Sequence, residues 1–551
     1  MEYKIIFSSE DSLQIQFFQK ILPEINSQIS FVSKKLFENP KKLGFEELLP
    51  TYAAIDIFWE KIKNKKNTFK KVQKFLSKIQ NEFDSPQNKN SVSKTVKIPV
   101  CYEKEFAPDL KNICENTGLS ESEVILLHSS KEYLIYMLGF LPGFPYLGGM
   151  DEKLSTPRLQ TPRLKIPQGS VAIGGNQTGV YPLESPGGWQ IIGRTPVKLF
   201  DFYRKPQFLF EAGDKIKFER ISKSEFENFD ENKFYKIEEK NQNHQKEKYV
   251  CSSGIEISDG GIFTTVQDSG IKGYLRFGIG ESGVADRENY FLANRICCNQ
   301  KNCAVLEATV SLPSFEFLAD TYFCVTGADC SSLLNETPVL LNRLYFAKKG
   351  DIFSGGFCSN GIHSYIGFAG GILVPKFFGS CSTNTKSFLG GFFGRKLKKG
   401  DTLAIGMPFK KIKEIYSKNK NDFSSFKSEW KSIFEKNELL VLECVKGSQF
   451  DFFDKSSVEK FENQIFTVSS QSDRMGIRFE GESIFEGKTD IISDAIPFGA
   501  VQITSLGLPV VMSVDRQTTG GYAKIACVTK KSMNFLVQSR PGTKVQFKIK
   551  K

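Results

Sequence analysis

The sequence has few features of a secreted, membrane or zinc-binding protein. Its 551 residues include only three histidines and no Cys-x-x-Cys pair, so no resident metal site is predicted. No apolar run approaches the roughly 20 residues that span a bilayer, and Met1–Phe7 lacks the charged and apolar regions of a signal peptide. The 12 cysteines are scattered. We therefore expect a cytoplasmic protein with no membrane partner, whose cysteines are reduced and buried.

Glycine is scarce in the first part of the chain. Gly44 is the only glycine before Gly118, although the whole sequence contains 45. Apolar residues alternate over 13–17 as in a strand, and they follow helical spacing over 25–36 and 69–83. Strands and helices in a stretch this short predict a small α+β domain.

Composition suggests where the other domains begin and end. After the α+β domain, placed at residues 1–90, short apolar runs broken by Gly and Pro predict a compact β-barrel over 95–221. Residues 222–250 lack Gly and Pro and are rich in Glu, Lys, Asn and Gln, which is typical of a polar linker. Residues 251–551 return to the β pattern, with a short helix predicted over 423–433. The predicted fold class is mostly β with an α+β N-terminal domain.

The net charge is basic but moderate. The chain has 74 Lys and Arg against 62 Asp and Glu, a formal charge of +12. Much of the excess lies in lysine-rich stretches without an accompanying Arg and aromatic stripe. We therefore expect a solvated lysine-rich surface and no nucleic-acid partner.

One motif imitates a dinucleotide-binding fingerprint. Gly278-Ile-Gly-Glu-Ser-Gly283 follows a strand-like run over 274–277, precedes a helix-like run over 284–296, and has Glu307 further along. The flanking pattern is nevertheless that of a β-meander, not of alternating strands and helices. An anion site at the N-terminus of the following helix, with Ser282 near the cap, is the favoured interpretation.

A Pro- and Gly-rich block over 139–195 carries arginines, a Gln-Thr pair and aromatic residues on short turns. Polar groups on such loops are typical of a site for a small anionic ligand. The alternative is a set of structural barrel turns with Trp189 in the core. A histidine in such a position is more often structural than a base, but His128 is the only one beside a motif. The candidates here are His128 as a catalytic residue and, as binding residues, Arg158, Arg163, Gln177, Thr178, Tyr181, Trp189 and Arg194.

Short Gly-rich turns between residues 264 and 522 carry two Asp-Arg pairs and further aspartates. Such pairs either cap turns as salt bridges or orient guanidinium groups toward a carboxylate or phosphate, and the residues alone leave both interpretations open. The candidates are Asp268 and Asp329 as catalytic residues and, as binding residues, Gln267, Arg276, Ser282, Asp286, Asp473, Arg474, Asp515, Arg516, Thr518 and Thr519.

These two groups of motifs resemble known families. The block over 139–195, with His128 before it, resembles the KipI family, which includes the B subunits of 5-oxoprolinase and is also called allophanate hydrolase subunit 1. Residues 264–406, with Ser472–Gly476 and Asp515–Tyr522, resemble the KipA family, which includes the C subunits of 5-oxoprolinase and is also called the biotin-dependent carboxyltransferase-like family. The resemblance covers nearly the whole chain, in the order B then C.

The chain departs from the family pattern in several places. Gly280 stands where the family has proline, and this change creates the apparent dinucleotide fingerprint. Ala523 also replaces a proline. Cys381 replaces an arginine, which puts any binding role of that position in doubt.

The resemblance implies a fold and an activity. The implied fold has cyclophilin-like β-barrels in both modules. The implied activity is the ATP-dependent opening of 5-oxoproline to glutamate, performed with a separate 5-oxoprolinase A subunit. In that activity the arginines would bind carboxylate and phosphates, and Asp268, Asp286 or Asp329 would hold Mg²⁺.

Two alternatives remain open. The first is a biotin-dependent carboxyltransferase component of the urea carboxylase type, which would need separate carrier proteins because no Ala-Met-Lys-Met motif occurs. The second is a regulator of a histidine kinase of the KipI and KipA type. A fusion would tether inhibitor and antagonist permanently, which argues against such regulation.

Overall fold

The computed structural model describes residues 1–83, 94–161, 163–235, 251–418, 422–423, 425–426, 429–435 and 438–550. The fold is mostly β, as predicted, and has four parts in chain order. We call them the N-terminal part, the first barrel, the two-sheet part and the second barrel.

The N-terminal part is an antiparallel sheet covered by helices. Its elements are β1 (Lys4–Phe7), β2 (Ser12–Gln16), α1 (Pro23–Phe37), α2 (Pro40–Leu43), β3 (Glu47–Pro50), β4 (Ala54–Phe58) and α3 (Lys65–Phe83). The sheet order is β1-β2-β4-β3. The predicted apolar faces of α1 and α3 pack on this sheet and bury Ile29, Val32 and Leu76.

The first barrel closes in the order β10-β7-β6-β13-β5-β12-β9. Its elements are β5 (Thr95–Cys101), α4 (Leu110–Thr117), α5 (Glu121–Ser130), β6 (Glu132–Leu138), β7 (Pro145–Gly148), β8 (Arg163–Ile166), β9 (Ser170–Gly174), β10 (Gln177–Val180), β11 (Ser185–Gly187), β12 (Gln190–Arg194) and β13 (Lys215–Ile221). Strands β8 and β11 pair as a separate ribbon. The predicted polar linker begins with α6 (Lys223–Glu227) and α7 (Glu231–Tyr235), and its remainder, 236–250, lies outside the described residues.

The two-sheet part contains a seven-stranded and a five-stranded sheet around one core, to which β14, β15, β17 and β23 all contribute. Its elements are β14 (Cys251–Asp259), β15 (Phe263–Gln267), α8 (Arg287–Ile296), β16 (Val305–Thr309), β17 (Ser314–Phe317), β18 (Thr321–Gly327), β19 (Leu333–Leu334), β20 (Thr337–Pro338), β21 (Tyr345–Ala347), β22 (Ile352–Ser354), β23 (His363–Phe368), β24 (Ile372–Leu373) and β25 (Thr402–Gly406). The sheet orders are β20-β19-β22-β17-β14-β25-β24 and β15-β16-β23-β18-β21.

The second barrel follows α9 (Ile412–Ser417) and α10 (Glu429–Glu435). Its elements are β26 (Leu440–Lys446), α11 (Lys455–Asn463), β27 (Phe466–Val468), β28 (Gly476–Glu480), β29 (Asp490–Ala495), β30 (Ala500–Ile503), β31 (Pro509–Met512), β32 (Thr519–Tyr522), β33 (Lys524–Val528), α12 (Lys530–Leu536) and β34 (Lys544–Ile549). It closes in the order β26-β33-β30-β31-β28-β27-β34, with β29 and β32 paired as a ribbon.

The two barrels have the same topology. In each, the first and last strands pair in parallel, the remaining pairs are antiparallel, and the fourth and seventh strands leave the barrel as a ribbon. The residues that lead into the fifth strand also match in sequence, since Ile166-Pro-Gln-Gly-Ser-Val171 corresponds to Ile496-Pro-Phe-Gly-Ala-Val501. The chain therefore contains a duplicated barrel that no short sequence repeat predicts.

The four parts pack into one continuous body. Ile492, on the ribbon of the second barrel, packs in an aromatic cluster with Tyr52 of the N-terminal part and Phe144 of the first barrel. The turn before α8 also enters this junction, because the Phe277 ring stacks on Phe208 with centroids 4.4 Å apart. Gly278 at the end of that turn has a φ of +79°, and a Cβ there would overlap the carbonyl oxygen of Leu141.

Candidate functional site

A cavity of about 440 Å³ lies between the two-sheet part and the second barrel. Its apolar wall includes Phe263, Ile362 and Leu536. Its polar lining includes His363, Lys386, Ser472, Asp473, Arg474, Ser513, Asp515 and Ser539. We call it the barrel cavity. Its volume falls within the range of about 300–1,000 Å³ usual for small-molecule sites.

Arg474 is held rigidly at the floor of the barrel cavity. Its guanidinium donates to both carboxylate oxygens of Asp515, at 2.8 and 3.2 Å, to Glu307, and to the carbonyl oxygen of Gly283 at 2.6 Å. Burial opposes the charge of Arg474, but Asp515 and Glu307 outweigh it and keep the arginine pKa above its usual value. Asp515 and Arg474 therefore form one buried ion-pair cluster that shapes the cavity.

A hydrogen-bond network extends from this cluster behind the cavity wall. The Tyr365 hydroxyl donates to Glu307 at 2.9 Å and accepts from the backbone N–H of Asp286 at 2.7 Å. The Gln538 side chain donates to Asp286 at 2.8 Å and accepts from the backbone N–H of His363 at 2.9 Å. The network links the two-sheet part to the second barrel, so each positions the cavity wall of the other.

His363 is a cavity residue that the sequence analysis did not select. Its Nδ1 lies 3.1 Å from the Thr309 hydroxyl, and burial lowers the pKa of the imidazole, which keeps it neutral. No sequence motif surrounds it. The cross-strand pairing of Thr309 with His363 brings the histidine to the cavity wall. Glu307, which the sequence offered only as the distant acid of the dinucleotide pattern, lies behind that wall against Arg474.

The fingerprint-like turn does not form a dinucleotide or anion site. The run predicted as a strand over 274–277 is a single 3₁₀ turn, Leu275–Phe277. The N-cap of α8 is occupied by Asp286, whose Oδ1 accepts the backbone N–H of Asn289 at 3.1 Å. Ser282 instead accepts a hydrogen bond from the Asn384 side chain at 3.0 Å. The predicted anion site with Ser282 near the cap is therefore wrong, because a carboxylate of the chain already fills the cap.

The aspartates predicted to be catalytic or metal-binding lie apart from one another. Asp268 is buried and accepts from Ser380, Cys381, Ser382 and Gly270, so its oxygens hold a loop. Asp329 is exposed on a separate depression of the surface. Among the described residues no group of three or more His, Cys, Asp or Glu side chains could hold a metal ion.

Three of the remaining polar candidates of the C-terminal half, Arg516, Gln267 and Thr519, also lie in structural contacts. Arg516 donates to Glu281 at 2.6 Å and to the Ile496 carbonyl oxygen at 2.8 Å. Gln267 donates to Thr265 and to the Thr383 carbonyl oxygen. The Thr518 hydroxyl is buried without a hydrogen-bond partner among the described residues, and Thr519 faces the Tyr146 hydroxyl of the first barrel at 3.5 Å.

His128 lies inside the first barrel and does not line the barrel cavity. The Thr178 hydroxyl donates to the Ala172 carbonyl oxygen, so the His128 Nε2–H donates to Thr178 and its Nδ1 accepts from the Tyr102 hydroxyl, each at 2.9 Å. Burial lowers the pKa of His128 to about 3. A neutral, fully bonded imidazole of this kind is structural, and the predicted catalytic role finds no support in its position.

The other candidates of the first barrel divide between core and surface. Trp189 and Tyr181 are buried in the aromatic cluster around Phe144. Gln177 hydrogen-bonds Tyr52 in the same cluster. The arginines differ in their contacts. Arg163 pairs with both oxygens of Asp109 at 2.8 and 2.6 Å, Arg194 donates to the Gln168 carbonyl oxygen at 2.8 Å, and Arg158 is exposed.

A second cavity, of about 370 Å³, lies where three parts of the chain meet. It is lined by α1, by β6 with the 211–213 loop, and by Arg276 and Phe277 of the two-sheet part. We call it the junction pocket. Arg276 is the one predicted site residue that lines it.

A buried ionic cluster also joins the parts and was not predicted. The Gln14 side chain donates to Asp56 at 2.7 Å and to both oxygens of Asp494 at 3.0 Å, and the Lys524 Nζ lies 3.3 Å from Asp494. The Gln449 side chain also donates to Asp494, at 3.0 Å. Burial and the nearby Asp494 raise the pKa of Asp56 to about 8. We call this group the interface cluster.

Comparison with known proteins explains the division of the chain. Residues 3–210 match the family model described as carboxyltransferase domain, subdomain C and D, and residues 277–549 match carboxyltransferase domain, subdomain A and B. The 5-oxoprolinase B subunit of Bacillus subtilis is 37% identical over 229 residues, 40% of this chain and 94% of that protein. The 5-oxoprolinase C subunit of Escherichia coli is 35% identical over 295 residues, 53% of this chain and 90% of that protein. The chain belongs to the family of 5-oxoprolinase B and C subunits.

Within this family the chain is a fusion of the two types, since the B-type and C-type matches fall on different parts of it. A solved structure, that of TTHA0988, is similar over 98% of this chain and 99% of its own, with a TM-score of 0.79 and 25% identity. Urea amidolyase of Saccharomyces cerevisiae is 30% identical over 307 residues, 54% of this chain but only 16% of that protein.

The family match shows to which module the residues that line each cavity belong. The barrel cavity lies within the C-type module. The junction pocket is lined by residues of both modules, because α1 and β6 belong to the B-type module and Arg276 to the C-type module. None of the helices among the described residues is sufficiently long and apolar to cross a membrane.

Proposed function

We propose that the chain supplies the fused B and C components of an ATP-dependent 5-oxoprolinase, which opens 5-oxoproline to L-glutamate together with a separate A component. One observation supports this substrate best. The chain spans 94% and 90% of two relatives named as 5-oxoprolinase subunits, but 16% of the yeast urea amidolyase. Both B-type and C-type modules are therefore nearly full length in one polypeptide.

The chemistry explains why ATP is needed. A lactam carbonyl is a poor electrophile, and its hydrolysis needs an activated carbon and a better leaving group. In the proposed reaction the lactam oxygen attacks the γ-phosphorus of ATP and ADP leaves. Water then attacks the activated carbon, and the C–N bond breaks to free the amine and leave an acyl phosphate. A second water cleaves this acyl phosphate, which gives the carboxylate of glutamate and inorganic phosphate. Charge develops on the transferred phosphoryl group, so catalysis depends on positioned cations.

The barrel cavity fits a nucleotide in size and chemistry. Its apolar wall suits a base, and Lys386 with the hydroxyls of Ser472 and Ser513 suits phosphates. Mg²⁺ is usually held by one or two carboxylates together with substrate phosphates. Asp473 is the carboxylate that would hold it, because its side chain is 45% exposed and its partner, Lys386, is exposed as well.

The carboxyltransferase alternative keeps one specific support, which is that both family models are named for carboxyltransferase subdomains. If the chain were a carboxyltransferase, biotin and biotin carboxylase would be on separate proteins. The two functions differ in the co-substrate that the chain requires, carboxybiotin in one and ATP with 5-oxoproline in the other.

The test is phosphate release from ATP by the purified full chain mixed with the separate A component. We expect release that depends on 5-oxoproline and is matched by glutamate. D473N should lower the rate about tenfold or more, whereas D451N, an exposed aspartate that pairs with Lys4 far from the cavity, should not. Absence of 5-oxoproline-dependent release with both proteins folded would overturn the proposal, and carboxyl transfer from carboxybiotin would replace it.

A further inference from the structure

Arg276 is the predicted anion-binding arginine whose guanidinium has no hydrogen-bond partner among the described residues, although the nearby carboxylates of Glu211 and Glu47 favour its charge. Arg163, Arg474 and Arg516 are paired with carboxylates, and Arg194 donates to a carbonyl oxygen. Arg158 is exposed to water. Within the part of the chain that the structure describes, no hydrogen bond or ion pair reaches Arg276, and its Nε is buried without a partner. A half-buried guanidinium in this state is costly unless a ligand completes it.

Two aromatic rings lie beside the Arg276 guanidinium at the wall of the junction pocket. Its central carbon lies 4.2 Å from the ring centroid of Phe37 and 4.8 Å from that of Phe277. These two rings come from α1 and from the turn before α8, so both modules fix the arginine. Stacking orients the plane of the guanidinium without using its N–H donors.

A second polar group in the pocket also lacks a partner. Ser33 is 5% exposed, lines the junction pocket, and its hydroxyl has no hydrogen-bond partner among the described residues. Ile29, Met137 and Leu138 line the same pocket with apolar surface. The pocket thus offers an anion-binding end, one additional hydrogen-bonding group and an apolar wall between them.

The charges at the rim limit the size of the anion. Glu38, Glu211 and Lys34 are exposed residues that line the pocket. Two carboxylates at the rim repel a polyphosphate, whereas one guanidinium matches one carboxylate in bidentate geometry. The chemistry therefore favours a small organic acid with a single carboxylate over a nucleotide.

We propose that the junction pocket binds a small organic monocarboxylate, with Arg276 holding the carboxylate, the Ser33 hydroxyl holding a second polar atom and the apolar wall covering the carbon skeleton. Where the proposed function holds, on which this last step rests, the ligand is 5-oxoproline, bound at a site apart from the phosphoryl transfer, because the junction pocket and the barrel cavity share no lining residue. Its carboxylate, lactam group and ring methylenes match these three features. Both modules contribute to the pocket, which gives a physical reason for joining them in one chain.

The experiment is calorimetric titration of the full chain with 5-oxoproline, with 2-pyrrolidinone, which is the same ring without the carboxylate, and with a panel of other monocarboxylates. We expect a carboxylate to bind and 2-pyrrolidinone not to bind. R276Q should weaken binding about 10- to 100-fold, the usual effect of losing a hydrogen bond to a charged group. R220Q, which removes an exposed arginine of β13 that lines neither cavity, is the matched control and should bind as the wild type does. A212F fills the pocket from the exposed 211–213 loop and tests it independently of Arg276.

The outcomes separate the pocket from the proposed function. Unchanged 5-oxoproline binding in both R276Q and A212F, with native circular dichroism, would overturn the pocket and leave the function standing. Binding of another monocarboxylate but not 5-oxoproline, lost in R276Q, would support the pocket and contradict the proposed substrate. Binding of no carboxylate at millimolar concentration would overturn the pocket.

Discussion

Replacing Lys524 by methionine should strongly destabilise the contact between the two modules. Lys524 is 1% exposed, and its Nζ lies 3.3 Å from Asp494, on the ribbon of the second barrel. Asp494 in turn accepts from Gln14 of the N-terminal part. The substitution leaves Asp494 buried close to Asp56 without its cation.

The size of the effect follows from the geometry. At an effective dielectric constant of about 20, unit charges at this separation attract by about 5 kcal/mol, which offsets the cost of burying them. Removing one partner of a buried ion pair costs about 3–5 kcal/mol, because the other charge stays buried. Replacing both by D494N/K524M removes that uncompensated charge. We expect the double variant to be at least about 2 kcal/mol more stable than the sum of the single changes predicts.

Urea unfolding of the full chain measures these differences. Fluorescence reports on Trp59, Trp189 and Trp430, which lie in different parts, and circular dichroism reports on the sheets. The free energies are comparable where both signals give one midpoint. A K524M chain within about 1 kcal/mol of wild type, or strictly additive effects in the double variant, would refute the reasoning.

Three further predictions concern the backbone, the first barrel and pH. G278A should lower the free energy of unfolding in urea by about 1–3 kcal/mol more than G273A does. Both glycines have positive φ, but only at Gly278 would a Cβ overlap a carbonyl oxygen. Equal losses of stability in the two variants would contradict this reasoning. His128 should stay neutral between about pH 5 and 8 in NMR spectra, since its pKa is about 3, and a midpoint near its ordinary value would contradict its burial. The pKa of Asp56 is raised from 3.8 to about 8, so its contribution to stability is full at low pH and is lost as pH rises through that window. D56N should therefore flatten the fall in unfolding free energy with rising pH, and an unchanged slope would count against the raised pKa.

The local sequence pattern was sufficient to predict those helices and strands that are stabilised by contacts within their own part of the chain. The apolar spacing over 25–36 became α1, because one face of that helix packs on the sheet of its own part. The strand predicted over 274–277 was wrong for the opposite reason. The backbone N–H groups of Gly273 and Leu275 donate to the carboxylate of Glu47 at 2.9 and 2.8 Å, a contact across more than 200 residues that holds the segment as a turn.

The sequence indicated which types of residue would line the candidate site, but not which residue each of them would pair with. The Asp-Arg pairs looked alike in sequence, yet Arg474 pairs with Asp515 and with the distant Glu307, while Asp473 faces Lys386. His363, Lys524 and Asp494 belong to no motif, since strand pairing and module packing bring them into place. Long-range topology decides which polar residues of a Gly-rich turn are structural and which face a cavity.

The interface cluster and the junction pocket show why the modules act as one body. Surfaces that meet only transiently keep their charges in water, because a buried and unpaired charge would be exposed each time they separated. Here Asp56 and Gln14 of one module contact Asp494 and Lys524 of the other. Separating the modules would therefore break these hydrogen bonds and leave the polar groups without their partners. The same contact brings Arg276 against Phe37 and leaves its guanidinium open to one cavity. The buried polar interface thus holds together a pocket that residues of both modules line, and that pocket is the monocarboxylate site proposed above.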